Sequence, residues 1–144
     1  MLASKVTNHP VVSTRAAATV ARLEAVVVDP ASRVVVALRL KRTGGHGKIL
    51  NWADVVAFGP DAVTVESAEV FAEPGGRVRE LLDGDADLAR KRLLTDAGAE
   101  MGTVTDIEFD AATGAVVSVI GTNGILPGDH LLGCGRYAAV VRSA

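Results

Sequence analysis

Short apolar runs, mostly valine-rich and none longer than a strand, recur along the chain between clusters of turn-forming residues. Val26-Val27-Val28 and Val34-Val35-Val36 flank Asp29-Pro30-Ala31-Ser32-Arg33. Further on, Ile107 and Phe109 alternate with Glu108 and Asp110, the period of two of a half-buried strand. Val104 and Ile107 break that alternation, which predicts a bulge between them. Asp110-Ala111-Ala112-Thr113-Gly114 reads as a tight hairpin loop with Gly114 in the left-handed position. In the earlier run Arg33 stands where Gly114 would. A left-handed Arg costs about 1 kcal/mol, so the first hairpin is expected to differ in shape.

The pattern occurs twice. With a displacement of 81 residues, Val12-Ser13-Thr14-Arg15-Ala16 lies over Leu93-Leu94-Thr95-Asp96-Ala97, and Val34–Leu38 lies over Ala115–Val119. With a displacement of 76, Ile49-Leu50 meets Ile125-Leu126, Trp52 meets Gly128, and Phe58 meets Cys134. The change of register falls in the loop Lys41–Lys48, where length changes are cheap. The expected organisation is repeat one over 11–66, a linker over 67–87 and repeat two over 88–142. Within the linker, Glu73-Pro74-Gly75-Gly76 is a breaker cluster and Arg77–Leu82 is long enough for a turn or two of helix.

Five or six short strands per repeat, separated by Gly-containing turns, predict an all-β protein of two tandem small antiparallel β-barrels joined by a short, partly helical linker. A lone repeat of this size buries a marginal core, and packing two together relieves that.

Repeat two carries Asp96-Ala97-Gly98, then Gly102-Thr103-Val104-Thr105-Asp106-Ile107, then Asp110-Ala111-Ala112-Thr113-Gly114 before a Val-rich strand, with Ile125-Leu126-Pro127 later. This order resembles the PRC-barrel family. Repeat one is similar but degraded, with Arg15-Ala16-Ala17 in place of the Asp-x-Gly turn and Ala21 in place of Gly102. The resemblance covers most of the chain and rests on turn signals and apolar alternation. It implies a non-catalytic platform that docks a protein partner. The alternative it implies is an RNA or ribosome-assembly role like that of the family's ribosome maturation factor.

Composition narrows the field. Of 144 residues, 49% are hydrophobic and 3% aromatic, enough for packed cores and poor in the rings that stack on bases. A net charge of −2 leaves no overall electrostatic footprint for nucleic acid. The opening residues show no apolar signal-peptide core, and no run reaches the length of a membrane-spanning helix. A single cysteine, Cys134, cannot form an internal disulfide, and the expected setting is cytoplasmic.

Candidate chemistry is sparse, and no catalytic, cofactor or metal residue is expected. His9, His46 and His130 lack metal-ligand spacing. Gly44-Gly45-His46-Gly47 departs from the spacing of a phosphate loop. Asp83, Asp85 and Asp87 lack the later positions of a calcium loop. Cys134 reads as a buried small hydrophobe. The residues singled out for partner contact are Trp52, the lone tryptophan, and the basic residues Arg90, Lys91, Arg92, Lys41 and Arg42. Trp52 reads either as an interface anchor or as a core filler. The RNA alternative predicts that these basic residues converge on one face. A monomer with pseudo-two-fold symmetry and a homodimer are the expected states.

Overall fold

A computed structural model describes residues 1–143. Among these residues the chain is mainly β, with twelve strands in two curled six-stranded sheets and two short helices. The first sheet contains β1 (Pro10–Ser13), β2 (Ala18–Asp29), β3 (Val34–Lys41), β4 (Ile49–Asn51), β5 (Ala57–Phe58) and β6 (Val63–Val65). The second contains β7 (Arg92–Thr95), β8 (Glu100–Phe109), β9 (Val116–Gly121), β10 (Gly124–Pro127), β11 (Leu131–Cys134) and β12 (Ala139–Val141). Strand orders are β4-β3-β2-β1-β6-β5 and β10-β9-β8-β7-β12-β11, the same topology written twice. In each sheet the two edge strands are joined in sequence by one 3₁₀ turn, Trp52–Asp54 or Gly128–His130, so the sheet must curl to bring its edges together.

The barrels are not wholly antiparallel. β1 runs parallel to β6, and β7 runs parallel to β12. Register also corrects the sequence alignment at the first strand. Val11 faces Val63 as Leu93 faces Ala139, so the true offset there is 82 rather than 81. The one-residue slip lies in the pairing across the turn: Ser13 pairs with Ala18, whereas the Thr95 N–H donates to Ala99 O at 2.8 Å, one residue sooner. Elsewhere the offsets of 81 and 76 hold, and a register break falls between Val104 and Asp106.

The first hairpin does not differ from the second in shape. Arg33 takes φ 59° and Gly114 takes φ 80°, and each donates its N–H to the matching Asp carbonyl at 2.7 Å. Arg33 tolerates the left-handed conformation because its Nε donates to Leu131 O at 2.7 Å, offsetting the strain with a contact to the other repeat.

The repeats meet on a pseudo-two-fold axis between Val34 and Ala115, which form an antiparallel bridge. The Val35 N–H donates to Gly114 O at 2.8 Å, and the Val116 N–H donates to Arg33 O at 2.9 Å. Both pairs are related by the same 81-residue offset, so the bridge is self-complementary. One contiguous core runs through both repeats, from Val11, Leu23 and Leu38 to Val104, Phe109 and Val141. At its centre Trp52 stacks on Phe58 (centroids 6.0 Å apart), while Phe109 from repeat two meets Phe58 edge-on at 5.4 Å. Two barrels that are individually marginal thereby share their apolar interior.

The segment between the repeats is more than a tether. Helix α2 (Gly76–Asp83) lays Val78 and Leu81 on the outer face of the first sheet, against Val27, Ala37 and Ile49. Just before it, Ala72 bridges the edge strand β4. The Ile49 N–H donates to Ala72 O at 2.9 Å, and the Ala72 N–H donates back to Ile49 O at 2.8 Å. The N-terminal segment takes a different place: Leu2 bridges Glu108 of β8, the Phe109 N–H donates to Met1 O at 2.9 Å, and Val6 of helix α1 (Ala3–Val6) is buried in the shared core.

Candidate functional site

Three surfaces compete. The first is a groove of about 590 Å³ across the pseudo-two-fold axis. Its floor is Val26 and Val28 of β2 with Val104 and Ile107 of β8. On one side the Arg39 Nε donates to Glu24 at 3.2 Å. On the other, the Ser4 N–H donates to Asp106 Oδ1 at 3.0 Å. Glu24 and Arg39 thus pair with each other and Asp106 is held by Ser4, whereas among the described residues Arg90 is in no ion pair.

The second surface surrounds Trp52. A hollow of about 470 Å³ is lined by Trp52, Val55, Val56, Phe58, Ala111 and Ala112. Trp52 is half-buried, and its ring belongs mainly to the aromatic cluster between the repeats. Its counterpart Gly128 could hold no side chain, because a Cβ there would sit 2.0 Å from Val116 O. The lone tryptophan is thus present only in the repeat whose backbone leaves room for it.

The third surface is the outer face of repeat two. Matching positions show what happened to it. Val27, Ala37 and Ile49, covered by α2, correspond to Glu108, Ser118 and Ile125. Two of the three positions are polar in repeat two, and the Ser118 hydroxyl donates to Glu108 at 3.3 Å. The apolar character that remains is exposed: Ile125 is 69% exposed and Val117 51%, whereas Ile49 is 1% exposed. Among the described residues nothing bridges β10 as Ala72 bridges β4. Sequence reasoning missed Ile125 and Val117. The usable signal was the change from Val27 and Ala37 to Glu108 and Ser118 while Ile49 stayed Ile125.

The basic residues differ in their settings. Lys91, with a side chain only 12% exposed, pairs with Asp85 at 2.9 Å. Arg92 pairs with Glu100 at 3.0 Å and lies over the Tyr137 ring, 5.0 Å from its centroid. Arg90 is exposed at the groove with φ 65°. Lys41 and Arg42 lie at the end of β3, in the other sheet.

Most remaining polar groups serve the fold. Arg77 grips Asp29 through both Nε (3.1 Å) and Nη2 (3.0 Å), holding that carboxyl below the usual carboxylate range. Asp110 accepts the N–H groups of Thr113 and Ala112 within its own turn, with the same effect. The Gly44–Gly47 loop is pinned rather than open: Thr43 Oγ1 donates to His46 O at 2.8 Å, and Gly47 lies so close to Ala72 that a Cβ would be 2.3 Å from its carbonyl carbon. Cys134, expected in the core, is half-buried between both apolar clusters, and burial pushes its thiol up to about 11. Among the described residues no cluster of His, Cys, Asp and Glu could hold a metal ion, and no helix is long and apolar enough to cross a membrane.

No protein-family model matches the chain, and no curated protein matches it.

Proposed function

We propose that this chain is a non-catalytic adaptor of PRC-barrel type that docks a protein partner on the outer face of its second repeat. The observation that carries the reading is the inequality of two otherwise matching faces. Repeat one keeps its apolar outer residues under α2, whereas repeat two presents Ile125 and Val117 to solvent. Exposed apolar side chains gathered beside an open strand edge are what a binding surface needs.

The titratable groups support a non-enzymatic role because they are spent on structure. Asp29 is engaged by Arg77, Lys91 by Asp85, and Asp110 by its own turn. The raised Cys134 thiol is protonated at neutral pH and is a poor nucleophile. A cytoplasmic setting suits a lone reduced cysteine. The RNA reading is weaker, since Lys91 and Arg92 are already paired and Lys41 and Arg42 lie on the other sheet.

A photo-crosslinking residue at Val117, compared with one at its counterpart Val36, tests the reading in the native cell. A discrete protein adduct from position 117 and none from position 36 is expected. RNA adducts, or equal labelling from both positions, would reject it.

A further inference from the structure

We infer that the β10 edge takes, in trans, an extended segment of another protein with the chemistry of this chain's own linker: a large apolar residue, then a small one, then an Arg five positions on. The inference rests on the docking reading and specifies its partner.

The linker shows what such an edge accepts. Phe71 is buried in the shared core, Ala72 exchanges both backbone hydrogen bonds with Ile49, and Arg77 grips Asp29 with two donors. Both seats recur in repeat two. Ile125 faces Ile120 as Ile49 faces Arg39, so its N–H and C=O point away from β9 in the same manner. Among the described residues neither group is taken by another segment. Pro127, two residues on, offers no N–H, so the edge accepts a single bridging residue, as β4 does. The second seat is Asp110, the counterpart of Asp29. It is exposed, it accepts hydrogen bonds from its own turn, and among the described residues no Lys or Arg side chain pairs with it. Strand addition to an open edge gains affinity from backbone hydrogen bonds and specificity from flanking side chains.

The edge also suits a foreign strand better than a second copy. Two β10 strands paired about Ile125 would bring two uncharged Gly-Ile-Leu-Pro edges together, with no Arg from either strand to meet Asp110.

The test titrates ¹⁵N-labelled full-length protein with a synthetic peptide of the Glu66–Glu80 sequence. Amide shifts at Gly124, Ile125 and Leu126 and in the Asp110 turn are expected, with slowed exchange of the Ile125 amide. Methylating the peptide nitrogen equivalent to Ala72 removes one donor and leaves the protein untouched. It should weaken binding about tenfold, as should Arg77→Ala in the peptide. The protein variant Ile125→Pro, which deletes an outward N–H, should do the same. Absence of shifts in 124–127, or equal affinity of the N-methylated peptide, overturns the inference. So does a free protein that is already dimeric with a protected Ile125 amide, which would make the occupant a second copy. A partner that still crosslinks from Val117 in any of these cases leaves the docking reading standing and removes only strand addition.

Discussion

If the two repeats share one interior, damage on the repeat-two side of the aromatic cluster must destabilise both repeats together. Phe109→Ala is the sharpest perturbation. Phe109 is fully buried, and its ring meets Phe58 at 5.4 Å and Trp52 at 6.5 Å, both from repeat one. Emptying such a site costs about 3–5 kcal/mol, through lost transfer free energy and an incompletely collapsed cavity. For a chain of this size that is about 10 °C or more in Tm. The milder Phe109→Leu, combined with Phe58→Leu, isolates the edge-to-face contact, whose coupling should be about 0.5–1.5 kcal/mol. Urea unfolding followed by Trp52 fluorescence and by far-ultraviolet circular dichroism measures the loss. Trp52 reports on repeat one, whereas dichroism reports on both sheets. Coincident curves, shifted together in Phe109→Ala, are expected. A Trp52 transition that stays at the wild-type midpoint while dichroism loses half its signal would show separate interiors and refute the shared core.

Three further outcomes follow from local geometry. Arg33→Gly should be nearly neutral, because relief of left-handed strain (about 1 kcal/mol) offsets the lost bond to Leu131 O, whereas Arg33→Ala should cost about 1 kcal/mol, having lost the bond and kept the strain; chemical denaturation of the pair checks this. Asp29 is held below the ordinary carboxylate value of about 3.9, so the stability it adds is fully present above that pH and is lost as pH falls through its lower folded value. Wild type should therefore lose stability more steeply than Asp29→Asn as acid is added below about pH 4, measured by urea midpoints at stepped pH. Cys134, with its thiol at about 11, should react with iodoacetamide at pH 8 on the order of a hundredfold more slowly than an ordinary thiol, with a rate that rises with pH past 9; a rate like that of free cysteine would place it in solvent.

Much of the architecture could be read from side-chain order. Turn chemistry at Asp29 and Asp110, alternation through Ile107 and Phe109, and the offsets of 81 and 76 are local signals, and they predicted the paired sheets. The slip at Thr14 could not be read, because Thr14 and Arg15 are equally good turn residues and only pairing with β6 chooses between them. The basic run Arg90-Lys91-Arg92 looked like a surface feature. Lys91 is nonetheless drawn inward by Asp85, a partner fixed by the path of the linker. Trp52 was ambiguous for the same reason: whether it fills a core or anchors an interface depends on Phe109, 57 positions away.

The sequence by itself determined the strands, their turns and their twofold repetition, because strand period and turn preference act between residues close in the chain. Only the tertiary structure decided what lies over Ile49 and leaves Ile125 open. Ile49 and Ile125 occupy the same place in the same motif, and neither side chain specifies what lies above it. That depends on where the linker travels after Val65, held by the Ala72 bridge and the Arg77–Asp29 pair, contacts between residues far apart in sequence.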